Sequence, residues 1–260
     1  MRTDPTFECL VEIVARLRAP QGCPWDRAQT LESMRPYVLE EAYEVLDAMD
    51  RHDNEDLKKE IGDVLFQLVL LARMAEEEGA FDMSDVLERI NHKMVQRHPH
   101  VFDPSHEVRG DEGEVAAWEA RKAKERTADE SALDGVPNAL PALLRAHRIS
   151  EKASMVGFDW PDLPSVRAKV TEELGELDEA LADNHPSHIV EEYGDLLFAM
   201  VNLGRHLPTG AEEALRAATA KFEGRFRRLE THVRQQGQTV YDTSADELEA
   251  VWQTLKDSAC

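Results

Sequence analysis

Two pairs of carboxylates recur in this 260-residue chain with the spacing of one helical turn. Glu41 and Glu44 stand three residues apart, as do Glu60 and Asp63, and at a constant offset of 132 positions Glu173, Glu176, Glu192 and Asp195 repeat them (Glu41 to Glu173, Asp63 to Asp195). Glu40 and Glu172 correspond in the same way. On a helix, residues three apart share a face. A tight turn at Arg51-His52-Asp53-Asn54 is favoured by its polar residues. Folding back about His52 sets Glu41 opposite Asp63 and Glu44 opposite Glu60, and folding back about Asn184 does the same for Glu173 with Asp195 and Glu176 with Glu192. Four like charges brought together repel strongly unless a cation lies among them.

The donor types select the cation. Di-iron bundles pair Glu with Glu-x-x-His and so supply imidazole nitrogen. Here the i+3 residue is Asp63 or Asp195, so the predicted cage is oxygen only, which suits Mg²⁺ or Mn²⁺ shared with substrate phosphates and makes an iron-storage bundle a poor fit. A lone EExxE helix is most often a solvated face. The mirrored ExxD, returning in a half whose other residues have diverged, favours a metal site over surface charge.

Cations follow each acidic stretch. Lys93 and Arg97 in KMVQR are matched by Lys221 and Arg225 in KFEGR, and Trp118 with Lys122 by Trp252 with Lys256. Singly, these cations suit ordinary ion pairs or helix C-termini. Repeated behind the carboxylates, they suit a wall for terminal phosphates. A Trp is more often a core plug than a platform, yet with Lys four residues on either could cap a nucleobase. His52, His92, His98, His100 and His106 match no metal motif and are read as surface or capping residues.

The elements that carry these residues read as helices. Phe7–Arg18 has apolar residues at helical period, with a start near Asp4-Pro5. The segment 19–26, holding Pro20, Gly22 and Pro24, reads as a loop containing Trp25. Acidic helices are expected over 31–49, with Val38, Ala42, Val45, Leu46 and Met49 as the apolar stripe, and over 55–75, with Leu57, Ile61, Val64, Leu65, Leu68 and Ala72 buried. Asp82-Met83-Ser84 offers caps for a helix ending at His98-Pro99. The segment 112–126 reads as a solvated helix, 128–137 as a linker and 140–153 as an amphipathic helix. No strand stands out. The expected organisation is all-α, with an N-terminal repeat over 1–127, the linker over 128–137 and a C-terminal repeat over 138–260.

Composition bounds the partners. A net charge of -22 argues against a nucleic-acid polymer, though not against a phosphate substrate bridged by metal. Cys9, Cys23 and Cys260 form neither a disulfide framework nor a zinc motif, which fits a reducing cytoplasm, and no secretion or membrane segment is visible.

The motifs GCPWDRAQT, EExxE with ExxD, KMVQRHPHVF, SALDGVPNALPALLRAH, VGFDW and KFEGRF together resemble the MazG nucleoside triphosphate pyrophosphohydrolases over nearly the whole chain. The resemblance implies four-helix units completed by dimerisation, and cleavage between the α and β phosphates to a nucleoside monophosphate and pyrophosphate. It implies Glu173, Glu176, Glu192 and Asp195 as Mg²⁺ ligands (Mn²⁺ as the other candidate), with Glu41, Glu44, Glu60 and Asp63 intact in the N-terminal repeat. Glu172 or Glu173 is the expected base for water. Lys221 and Arg225 are implied as triphosphate contacts and Trp252 as a nucleotide contact. Lys169 and Lys256 complete the expected substrate-binding set, with Lys93, Arg97 and Trp118 in the N-terminal repeat. Two positions depart from the pattern: Leu31 replaces a common His, and Gly224 a common basic residue. The rival expectation is a non-catalytic acidic helical regulator or scaffold.

Overall fold

The computed structural model describes residues 4–105 and 131–257. The readings placed on 112–126, Trp118, Lys122, His106 and Cys260 lie outside them. The protein is all-α: among the described residues there are eleven helices and no strand. The chain divides into two compact units, Met1–Arg126 and Thr127–Cys260.

The first unit holds α1 (Phe7–Arg18), α2 (Pro24–Ala28), α3 (Arg35–Asp50), α4 (Asn54–Glu77), α5 (Met83–Arg97) and α6 (Pro99–Phe102). Thr6 caps α1 by accepting from the Cys9 amide at 3.2 Å, so the helix starts after Asp4-Pro5. The segment read as a loop is partly helical, because Pro24 occupies the first turn of α2, where its missing N–H and fixed φ are an advantage. Asp53 caps α4 by accepting from the amides of Glu55 and Asp56, both at 3.1 Å. Asp82 and Asp85 cap α5 reciprocally, each accepting from the other's amide at 3.0 Å.

The core of this unit gathers Val14, Met34, Val69, Leu70 and Met74, flanked by Phe7, Leu10, Val11, Phe66, Leu71 and Met83. It lies where α1 packs on the C-terminal half of α4. The expected apolar stripes are therefore only partly buried. Leu46, Met49, Ile61, Leu65 and Leu68 are exposed in the single chain. A two-helix hairpin has more apolar surface than one neighbouring helix can cover, and α1 covers only the far end.

The second unit holds α7 (Ala142–Met155), α8 (Leu163–Asp183), α9 (Pro186–Arg205), α10 (Ala211–Gln235) and α11 (Ala245–Asp257). Asp162 caps α8 through the Ser165 amide at 2.9 Å and its hydroxyl at 2.6 Å. α9 is the central element and packs against α8, α7 and α10. Val166, Ala180, Ala199, Val201, Leu229 and Val233 are buried. Buried Lys152 on α7 donates to the Asp134 carbonyl at 2.6 Å, attaching the segment read as linker to this helix. Among the described residues no helix is long and apolar enough to cross a membrane.

Candidate metal and nucleotide site

Each acidic hairpin folds back at a left-handed residue. His52 has φ 54° between α3 and α4, and Asn184 has φ 51° between α8 and α9; among the described residues these are the only non-glycine positions with positive φ. Both helix pairs pack along their lengths. The mirrored carboxylates then meet as the spacing predicts for some residues and not for others.

In the first unit Glu41, Glu60 and Asp63 converge, each offering an oxygen within 4.8 Å of the others. Glu60 is buried, and Glu41 and Asp63 are half-buried. Glu44 stands outside that trio but against Glu60. Protonating Glu44 supplies a hydrogen bond to Glu60, and this, with repulsion from Glu60 next, raises the Glu44 pKa above its ordinary value. Lys59 Nζ lies 2.7 Å from Glu60 Oε1 and 3.9 Å from Asp63 Oδ2. That ammonium is the largest reason the Glu60 pKa is lowered, against an opposing desolvation penalty.

In the second unit Glu173, Glu176 and Glu192 converge within the same 4.8 Å limit, with Glu173 buried and Glu192 half-buried. Asp195, one turn from Glu192, is exposed and does not join the trio. Lys169 Nζ bridges Glu172 Oε1 and Glu173 Oε1, both at 2.7 Å, and Glu172 first and Glu173 second hold its pKa well above the usual lysine range. His188 Nε2 lies 3.0 Å from Glu192 Oε1. Burial and the Glu173 charge push the Glu176 pKa up.

A divalent cation fits these residues. With the carboxylates ionised, Glu41 Oε2 and Glu60 Oε2 are buried and have no hydrogen-bond donor among the described residues, and an orphaned carboxylate oxygen is among the costliest buried groups. The donors are all hard oxygens, the set that binds Mg²⁺ or Mn²⁺. Glu41, Glu60 and Asp63 would hold the ion in the first unit, and Glu173, Glu176 and Glu192 in the second.

The remaining predicted residues occupy other helices. Lys221 and Arg225 lie one turn apart on α10, and among the described residues neither forms an ion pair. Trp252 on α11 packs against Phe222 of α10, with ring centroids 5.1 Å apart and planes tilted by 48°. Lys256 is exposed on α11. Lys93 is exposed on α5, whereas Arg97 on the same helix is half-buried. Lys59, His188 and Phe222 are contacts that spacing alone did not single out. The signal for His188 was present, since it stands four residues before Glu192.

The MazG nucleotide pyrophosphohydrolase domain matches residues 29–102 and 163–229, one segment across each acidic hairpin. The chain belongs to the MazG family. It is 48% identical over 254 residues to the nucleoside triphosphate pyrophosphohydrolase of Escherichia coli (strain K12), covering 95% of each chain. It is 44% identical over 251 residues to the nucleoside triphosphate pyrophosphohydrolase/pyrophosphatase MazG of Thermotoga maritima, covering 96% of this chain and 95% of that one. The crystal structure of a mazG-related protein from Thermotoga maritima is 28% identical and covers 45% of this chain and 98% of that one, at a TM-score of 0.39, which carries no structural argument. Each segment matched by the MazG domain contains both helices that carry the carboxylates, so the family pattern covers the acidic geometry on α3 and α4 and on α8 and α9.

Proposed function

We propose that this MazG protein hydrolyses nucleoside triphosphates between the α and β phosphates, with Mg²⁺, to a nucleoside monophosphate and pyrophosphate, and that the second unit carries the chemistry. The observation that supports this most is the convergence of Glu173, Glu176 and Glu192 beside the bridging Lys169. Asp195 is the fourth ligand, turning inward by a side-chain rotation on α9.

When bound, the divalent cation would neutralise polyphosphate charge and polarise phosphoryl oxygens, making the attacked phosphorus more electrophilic. The chain's own residues do the rest. Lys169 leaves its carboxylate bridge to pair with phosphate oxygens, exchanging one anionic partner for another. Lys221 and Arg225 hold the terminal phosphates as leaving-group charge develops. Glu172 is exposed and outside the trio. Once Lys169 has moved it is the carboxylate that orients the attacking water and takes its proton. Trp252 and Lys256 on α11 face the nucleoside portion.

The first unit holds a cation at Glu41, Glu60 and Asp63, with Glu44 joining them by a side-chain rotation on α3 and with Lys93 and Arg97 as its phosphate-facing cations. Two copies of the chain pair through the apolar faces of these hairpins. Leu39, Tyr43, Leu46, Ile61 and Leu65 in the first unit, and Leu174, Tyr193, Leu197 and Phe198 in the second, are exposed in the single chain. Light scattering on the purified chain tests this and should return twice the 29.4 kDa chain mass.

Phosphorus NMR of ATP incubated with the protein and Mg²⁺ tests the reaction. AMP and pyrophosphate are the expected products. ADP with orthophosphate would overturn the cleavage position. No turnover together with no Mg²⁺-dependent rise in melting temperature would favour a non-catalytic acidic scaffold.

A further inference from the structure

Lys59 stands inside the acidic cluster of the first unit. Its Nζ is 2.7 Å from Glu60 Oε1 and 3.9 Å from Asp63 Oδ2, and both partners belong to the converging trio Glu41, Glu60 and Asp63. The Lys59 side chain is 64% exposed and that of Glu60 only 4%, so the ammonium reaches a buried carboxylate from the solvent side. It satisfies one edge of that carboxylate. Glu60 Oε2 and Glu41 Oε2 remain buried with no hydrogen-bond donor among the described residues. One ammonium against three carboxylates thus relieves part of their repulsion and leaves the rest for a further cation.

The second unit is built differently. At the constant offset of 132 positions it has Glu191 where the first has Lys59, and the first has Tyr37 where the second has Lys169. Lys169 bridges Glu173, inside its trio, and Glu172, outside it. A dication entering among Glu173, Glu176 and Glu192 therefore leaves Lys169 paired with Glu172. A dication entering among Glu41, Glu60 and Asp63 takes both carboxylates that Lys59 pairs with. The acidic residues one turn back offer no exchange, because Glu55 is paired with Lys58 and Asp56 with Arg51. We propose that Lys59 is a built-in competitor of the divalent cation, neutralising the first unit's cluster in the ion's absence and making it the weaker of the chain's two cation sites. The inference rests on the reading of both clusters as cation sites. An ammonium displaced without another partner subtracts from the binding of the ion, and one that stays within a few Å repels it.

Mn²⁺ titration of the full chain, with free ion followed by its electron paramagnetic resonance signal, resolves the two sites. The expected result is two classes, the weaker removed by Glu41→Gln and the tighter by Glu173→Gln. Lys59→Met keeps most of the stem and removes the charge. It should tighten the weaker class about tenfold and leave the tighter one unchanged. In EDTA it should melt below the unaltered chain, and it should gain more on addition of Mn²⁺. Lys59→Arg should behave as the unaltered chain. Lys58→Met removes the same charge from the exposed pair with Glu55 and should shift neither class. Equal tightening by Lys58→Met and Lys59→Met would overturn the proposal, since net charge alone would then explain it. If Glu41→Gln removed no bound ion, the first cluster would not be a cation site and the proposal would fall with that reading. If Glu41→Gln removed a class that Lys59→Met had left unchanged, the cation site would stand and the role of Lys59 alone would be overturned.

Discussion

His52 and Asn184 share one backbone conformation, φ 54° and φ 51°, at the fold-back of the two acidic hairpins. Each is the residue about which the carboxylates mirror. The Asn184 amide closes the end of α8 on the Leu181 carbonyl at 3.2 Å, and the His52 amide closes α3 on the Met49 carbonyl at 3.1 Å. The register of four carboxylates in each unit therefore depends on one left-handed residue.

Left-handed backbone is unfavourable by roughly 1–2 kcal/mol for most L-residues, and Asn tolerates it better than Ala. Asn184→Ala is expected to lower stability by about 1 kcal/mol, and His52→Gly to leave it unchanged or raise it by up to about 1 kcal/mol. Urea denaturation midpoints at constant slope check both.

Gly22 offers a second backbone test. A Cβ there would overlap the carbonyl oxygens of Leu17 and Arg16, which belong to the end of α1 and cannot swing aside as a side chain could. The same turn holds the Cys23 amide on the Leu17 carbonyl at 2.8 Å. Gly22→Ala should therefore cost about 1–3 kcal/mol by forcing the α1–α2 connection apart. Thermal unfolding reports it, with Gly79→Ala, where no atom lies within 4 Å, isolating the effect of positive φ alone.

The Asp159–Arg205 pair sets an acid-side dependence in the second unit. Arg205 donates to Asp159 Oδ1 at 3.0 Å and Oδ2 at 2.5 Å, and to the side-chain Oδ1 of buried Asn202 at 3.1 Å. The Arg205 hydrogen bond is the main reason the Asp159 pKa is lowered in the folded chain. A lowered folded pKa means the unfolded chain binds the proton more readily, so this stabilisation is present above the ordinary carboxylate value and is lost as pH falls below about 4. Asp159→Asn should cost about 1–3 kcal/mol at pH 7 and flatten the loss of stability on acidification.

Glu44 and Glu176 have the opposite sign. Their pKa values are raised, for Glu44 mainly through Glu60 and for Glu176 mainly through burial, so each opposes folding as pH rises through its folded pKa. Without a divalent cation, Glu176→Gln is expected to raise the melting temperature near neutral pH. With millimolar Mg²⁺ the unaltered chain should gain more stability than the variant, because binding to the folded state alone stabilises it. Calorimetric scans with and without EDTA provide the comparison.

The hairpins were legible because their information is periodic. Spacing of three, a polar turn and a repeat at constant offset together fix two helices and their fold-back, and the structure pairs Glu44 with Glu60 accordingly. Burial along α4 was not legible. Ile61, Leu65 and Leu68 have the period of a core stripe, yet α1 covers only Val69, Leu70 and Met74 further along. Lys59 and Lys169 each stand four residues before a carboxylate of their own helix, Asp63 on α4 and Glu173 on α8, so their reach was legible, but the constant offset of the carboxylates did not show that the cation comes from different helices in the two units. Phe222 was hidden because its neighbour Trp252 is thirty positions away.

The two units differ in which carboxylates they bring together, and turnover is proposed for the second. Steady-state pyrophosphate release from ATP with Mg²⁺, measured on full-length Glu173→Gln and full-length Glu41→Gln, tests that placement most directly. Loss of a metal ligand removes several kcal/mol of transition-state stabilisation, so Glu173→Gln should reduce kcat by about a hundredfold or more while Glu41→Gln retains most of it. Full turnover in Glu173→Gln with loss in Glu41→Gln would contradict the placement of the chemistry in the second unit.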